Sequence, residues 1–162
     1  LKLFHNHMTI EMLLPYFDIK SSSFKNLVDL FRIKIFEEVA KSDLPGLIFT
    51  YVWELDSTKD WDFIRAIVKI FEQQGATVCY VELEASIEER LKRNISPNRL
   101  KYKPSKIDFK ASEKELLETD DQHVLNSAAN EFKGANHLKI NNTNLSAAAV
   151  AKIISERFDL SA

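Results

Sequence analysis

The chain has 162 residues, a formal net charge of −2 and 45% hydrophobic residues, eleven of its side chains being Phe. That is enough apolar material for one ordinary domain with a core of its own, and the near-neutral balance excludes the general nucleic-acid and membrane-surface binders, which carry a strong positive excess. No apolar run approaches the ~20 residues of a membrane span. With no secretory signal pattern and a lone Cys79 that has no internal disulfide partner, the expected setting is a reducing cytoplasm.

In chain order, "KLFHNH" reads as a short strand, and the chain enters it at once from Leu1, as a piece of a longer protein would. Alternation along the strand puts His5 and His7 on one side with Leu3, and Phe4 and Asn6 on the other, before a helix starts at Thr9. Residues 24–39 place Phe24, Leu27, Val28, Phe31, Ile35 and Val39 at helical spacing, and residues 61–73 repeat the pattern with Ile64, Ile67, Val68 and Phe71. Between and after them, "GLIFTYVWEL" (46–55) and "ATVCYVELEA" (76–85) are nearly continuous apolar runs, as in strands covered on both faces. Cys79 lies in the second run, where a buried, inert thiol is expected. "SIEE" at 86–89 and "SEKE" at 112–115 are capping boxes that predict helix starts near 87 and 113. A third strand, "NHLKIN" (136–141), precedes a last helix from about Ser146 through Phe158.

Strands alternating with helices predict an α/β fold: one domain over 1–162, with an open, doubly wound parallel sheet and helices on both faces. The three glycines, Gly46, Gly75 and Gly134, each sit just ahead of a strand, and the last two follow a helix where a left-handed residue is wanted. None remains for a phosphate-cradling loop. Neither G-x-x-x-x-G-K followed by Ser or Thr nor G-x-G-x-x-G occurs in these residues.

Three constellations could carry chemistry. Residues 90–106, "RLKRNISPNRLKYKPSK", hold seven Lys or Arg and no acid, and without those seven charges the chain would stand at about −9. A basic island in an acidic protein suits a local anion site, because its field acts over roughly a Debye length of ~8 Å. The guanidinium forks of Arg90, Arg93 and Arg99 match phosphate oxygens; the alternatives are a solvated basic loop, or single-stranded nucleic acid stacked on Tyr102. At the end of the first long strand, Glu54 and Asp56 stand where a carboxylate could hold Mg2+ or accept a proton, although helix capping by Asp56 or Ser57 is an equally good explanation. After the last strand, "INNTNLS" offers Asn and Thr groups to a base or ribose, or forms a simple turn. His5 and His7 are too few for a zinc site, since His123 and His137 come with no acid or cysteine in a recognisable spacing.

Together these positions resemble the P-loop kinases of the shikimate kinase and nucleoside monophosphate kinase type. The resemblance rests on "KLFHNH", "GLIFTYVWELDS", "ATVCYVELEAS" with its "IEERLKRN" continuation, and "HLKINNTNLSAAAVAKII", and so covers almost the whole chain. It implies an ATP-dependent phosphotransferase with Mg2+, a nucleotide and a small-molecule acceptor as partners, and no membrane or nucleic acid. Glu54 and Asp56 would be its metal carboxylates, and Arg90, Arg93 and Arg99 the phosphate-closing residues of a lid-like segment over 87–110. Asn142 and Thr143 would border adenine, and His5, Asn6 and His7 would face the acceptor. The family's first strand and Walker A loop, roughly 30 residues as a βα unit, would precede Leu1. Sheet order 2-3-1-4-5 then leaves an unpaired slot between the two most apolar strands, a route to self-association. Little phosphotransfer is expected of these 162 residues alone. The remaining reading is a non-catalytic module that binds a phosphorylated ligand or RNA.

Overall fold

A computed structural model describes residues 1–128, 131–132 and 136–160. Strand β1 (Lys2–His5) lies parallel to β2 (Leu47–Thr50), in register from Lys2 opposite Leu47 to His5 opposite Thr50. The crossover between them carries helices α1 (His7–Leu13) and α2 (Ser22–Lys41). Helix α2 starts where Ser21 Oγ accepts the Phe24 amide at 3.1 Å, satisfying one free donor of the first turn. Its buried stripe is Phe24, Val28, Arg32 and Phe36, one residue every four. Helix α3 (Thr58–Glu72) starts the same way, with Ser57 Oγ accepting the Asp60 amide. It stops at Gly75, whose φ of 77° is the left-handed turn that lets the Gly75 and Ala76 amides reach back to the Glu72 and Phe71 carbonyls.

Both helices cover one face of β1 and β2. Phe4 and Phe49 from the strands meet Phe36 from α2 at ring distances of 5.5 and 5.0 Å, and Ile67, Phe63 and Phe71 from α3 complete this core. The opposite face is bare: Leu3 is 53% and Ile48 45% exposed.

The second half pairs β3 (Tyr80–Glu84) with β4 (His137–Asn141), again parallel. Its crossover holds α4 (Ile87–Asn94), α5 (Pro97–Tyr102), a 3-10 turn (Pro104–Lys106) and α6 (Phe109–Gln122), and α7 (Ala147–Phe158) packs on β4. One face of this pair is polar, carrying Glu82 and Glu84 opposite Lys139 and Asn141.

The expected single doubly wound sheet is therefore corrected. The strands form two separate two-stranded parallel sheets, and among the described residues no ladder joins β2 to β3. The physical reason lies in what fills the space after the strands. Residues 51–55 leave the ladder for an aromatic cluster, in which Trp53 stands 4.7 Å from Trp61, 5.7 Å from Phe132 and 6.2 Å from Tyr80. The segment 123–128 bridges the halves: Leu55 donates to the Val124 carbonyl at 2.8 Å, and Ser127 donates to Glu82 from its amide and its hydroxyl.

Smaller expectations change for the same kind of reason. The long strands shrink to four and five residues. They are not covered on both faces, since Ile48, Val81 and Leu83 are exposed. The helix expected near 113 starts at Phe109, because Asp108 Oδ1 takes the Ala111 amide one turn earlier. Ser112 is left inside that helix and donates to Asn94 Oδ1 at 3.1 Å. Helix α4 starts where expected, with Ser86 Oγ accepting the Glu89 amide, but the reciprocal half of the box does not form, because the Ser86 amide donates to Thr143 Oγ1 and the Glu89 carboxylate pairs with Arg93. Gly134 lies outside the described residues. No helix among the described residues is long and apolar enough to cross a membrane.

Candidate functional site

The exit of β1 draws contacts from α2 below and from the basic segment above. β1 stops at His5, and Asn6 turns the chain directly into α1, so the expected pairing of His5 and His7 on one strand face does not occur. His5 is half-buried and its Nδ1 has no hydrogen-bond partner. His7 is buried in the first turn of α1, with Nδ1 3.1 Å from Glu11 Oε1.

The turn itself is held from below. Arg32, the one charged member of the buried stripe of α2, donates from Nε to Thr9 Oγ1 at 3.1 Å and from NH2 to the Asn6 carbonyl at 3.0 Å. Its guanidinium carbon lies 6.0 Å from the ring centroids of both Tyr51 and Phe63, a cation held between aromatic faces. Among the described residues Arg32 makes no salt bridge, and it works here as a hydrogen-bonded strut between α2 and the β1 exit.

From above, part of the basic segment settles on the same place. Ser105 donates to Glu11 from its hydroxyl at 2.5 Å and from its amide at 3.2 Å. The Tyr102 ring stands edge-on to the His5 ring at 5.9 Å. Glu11 thereby ties His7 on one side to Ser105 on the other. Lys103, between Tyr102 and Ser105, acts on both histidines. Burial is the main cause that lowers both imidazoles, and the Lys103 charge lowers them further. His7 falls to about 4 despite the Glu11 hydrogen bond, which opposes the shift.

The sign of that shift gives a pH expectation. The unfolded chain protonates His7 at its ordinary value of 6.5 and the folded chain only near 4, so this residue withdraws stability as pH falls through that window and is neutral to stability above it. In an NMR titration the His7 ring is expected to show a midpoint near pH 4. The midpoint should move lower still in Glu11→Gln, which removes the charge favouring imidazolium; a rise would contradict the contact described here.

The other sequence candidates do not converge on this place. Arg90 forms an ion pair with Asp120 of α6. Arg93 is engaged by protein groups: Nε meets Glu89, NH1 meets Asn142 Oδ1 at 2.9 Å, and NH2 meets the Asn142 carbonyl at 2.8 Å. Thr143 Oγ1 accepts the Ser86 amide at 2.9 Å, so Asn142 and Thr143 lock the exit of β4 to the start of α4. Arg99 folds onto the end of α4, with Nε 3.0 Å from Asn94 Oδ1, and reaches Ser112 of α6. The three arginines are thus separated, each with its own partners.

Glu54 and Asp56 do come together. Both carboxylates lie 3.5 Å from His123 Nδ1, and the second oxygen of Asp56 accepts the Val124 amide. Ser57, not Asp56, caps α3. Two carboxylates at one point form an oxygen donor set suited to a hard cation, yet no group of three or more His, Cys, Asp or Glu able to hold a metal occurs among the described residues.

Sequence reasoning missed Glu11, Arg32, Lys103 and Ser105. Arg32 left a signal as the charged residue in an otherwise apolar 24, 28, 32, 36 stripe, and Lys103 one as a member of the basic run at 90–106. No family model matches the chain, and no curated protein or solved structure matches it.

Proposed function

We propose that the protein is an ATP-dependent phosphotransferase of the P-loop kinase class, acting on a small molecule or nucleotide, with the acceptor bound at the exit of β1. The observation that carries this reading is the seating of Tyr102, Lys103 and Ser105 over His5 and α1. Cationic residues arrive where a parallel strand ends, the usual position of ligands in α/β proteins. His5, Asn6 and His7 then face the acceptor, and Arg32 fixes their turn. Catalysis of this kind is positioning and charge neutralisation, for which fixed cations in a sheltered site are effective.

The closeness of Glu54 and Asp56 supports them as the carboxylates for Mg2+, which supplies charge neutralisation on the ATP phosphates. Arg90 and Arg93 are engaged by protein groups, which supports a bracing role: Arg93 steadies the Asn142–Thr143 loop on the side proposed for adenine. The same engagement favours one rival, a module that binds a phosphorylated ligand without chemistry. The bare sheet faces at Leu3 and Ile48, and at Val81 and Leu83, support self-association as a companion property.

The triphosphate cradle required by this reading is not encoded in the 162 residues. The chain alone is therefore expected to bind Mg-ATP weakly and to transfer no phosphate. The product of its longest reading frame should transfer the γ-phosphate, and Glu54→Gln or Asp56→Asn should lower that rate by a factor of roughly 100 or more. A longest reading frame with no G-x-x-x-x-G-K loop and no ATP binding would leave the binding module standing in its place.

A further inference from the structure

The face of α3 that turns away from Ile67 and the phenylalanine core borders a half-open cavity of about 300 Å3 between the two halves of the molecule. Its walls are aromatic. Trp53 and Trp61 come from the first half, Tyr80 of β3 and Phe132 from the second, and Val68 of α3 adds to the apolar lining. Trp53 stands edge-on to Trp61, at 4.7 Å and 71°, while Phe132 lies nearly parallel to Trp61 at 5.9 Å. Rings set in these two orientations offer a flat ligand a face and an edge, the two contacts that aromatic groups prefer. Trp53 Nε1 is buried and unbonded, and Trp61 Nε1 already donates to the Leu55 carbonyl at 2.8 Å, so a ligand meets the rings and not the indole nitrogens.

Charge at the rim selects among flat ligands. Arg65 and Lys69, one helical turn apart on α3, both line the cavity and both are exposed, so a ligand can reach them. The Arg65 guanidinium lies over the Trp61 ring at 6.0 Å and gives one nitrogen to Asp62. Among the described residues the Lys69 ammonium makes no ion pair or hydrogen bond. Glu72, the acid of the lining, stands toward the other end, where burial and then its charge push up the Tyr80 hydroxyl. We infer that this cavity is a binding site for a small planar aromatic anion, its ring system against Trp53, Trp61 and Phe132 and its anionic group at Lys69 and Arg65. A volume of about 300 Å3 lies at the lower end for small-molecule sites and suits one ring or two fused rings. Binding removes the apolar surface of ligand and walls from water together. The occupant touches both halves, across the seam where no ladder among the described residues joins β2 to β3. The site uses none of the residues of the phosphotransferase reading and stands without it.

The test is an NMR titration of the 15N-labelled chain with naphthoate at neutral pH and constant ionic strength. The chain has two tryptophans and both line the cavity, so its indole N–H signals come from the walls themselves. Both signals are expected to move saturably, while the amides of Phe4 and Phe36 in the core on the other side of α3 stay in place. Naphthamide, the uncharged isostere, should bind about threefold more weakly, and acetate, an anion without a ring, should leave both indoles unmoved. Lys69→Gln should weaken naphthoate about threefold and leave naphthamide unchanged. Val68→Phe, which fills the cavity, should weaken naphthoate roughly tenfold or more, with the dispersed amide signals of a folded chain retained. Indoles that do not move with naphthoate, or that move equally with acetate, would overturn the site. Equal affinity for naphthoate and naphthamide would overturn the assigned ligand class, and unchanged binding in folded Val68→Phe would put the probe elsewhere on the molecule.

Discussion

Phe36→Ala is expected to be the most destabilising single truncation in the chain, at about 3–5 kcal/mol, read from the denaturation midpoint in urea. Phe36 has no exposed surface. Its ring is the hub of the first half, in edge contact with Phe4 of β1, Phe49 of β2 and Phe71 of α3. Removing it opens a cavity between α2 and the strands that rigid aromatic neighbours cannot collapse to fill. Against a typical total of about 5–15 kcal/mol, that loss leaves a marginal domain. Phe36→Leu keeps much of the volume and should cost less than half as much; equal losses for the two variants would mean that the hub is elsewhere.

Glu82 should show the largest polar effect. Its carboxylate receives the Ser127 hydroxyl at 2.5 Å, the Ser127 amide at 2.8 Å and the Asn126 side chain at 2.9 Å, with His137 and Lys139 also against it. Burial by itself would raise this carboxyl, but the hydrogen bonds from Ser127, Asn126 and Lys139 outweigh burial and bring it down to about 2. The sign follows: the unfolded chain takes up this proton at the ordinary 4.5, before the folded chain does. The stabilisation is therefore complete above pH 4.5 and is lost as pH falls toward about 2. Glu82→Gln should cost about 2–3 kcal/mol at neutral pH, since it leaves Lys139 and two Ser127 donors poorly matched. It should also flatten the acid limb of the stability curve. An acid limb as steep in the variant as in the parent would assign that limb to other carboxylates.

Features set by neighbours in the chain could be read from the sequence. The Ser86 cap, the helices α2 and α3 and the left-handed Gly75 are each decided within one or two turns, and each appears, although the buried stripe of α2 runs through Arg32 and Phe36 and leaves Phe31 exposed. What could not be read depends on distant partners. "TYVW" looks like the end of a strand because its residues favour strands, but Trp53 finds Trp61, Tyr80 and Phe132 instead of a ladder. The composition of residues 76–85 conceals that Glu82 and Glu84 point to a polar face tied down by segment 123–128. At the site, the sequence placed a strand exit beside His5 and Asn6, where β1 does end. Lys103 was only one of seven positive charges, and nothing local separates an unpaired cation from the bonded Arg90, Arg93 and Arg99. That distinction belongs to packing.

The parallel pairing of each sheet also governs how the chain can fold. Lys2 meets Leu47 and Tyr80 meets His137, so the two ladders close loops of about 45 and about 57 residues. The entropy of closure precedes the first ladder bond in both cases, and such non-local order slows the search. The first ladder has α2 and its phenylalanine cluster to organise the closure, while the second must await α4, α5 and α6. With the shorter loop and its own phenylalanine cluster, the β1–β2 half is the one expected to close first, carrying the β1 exit with it.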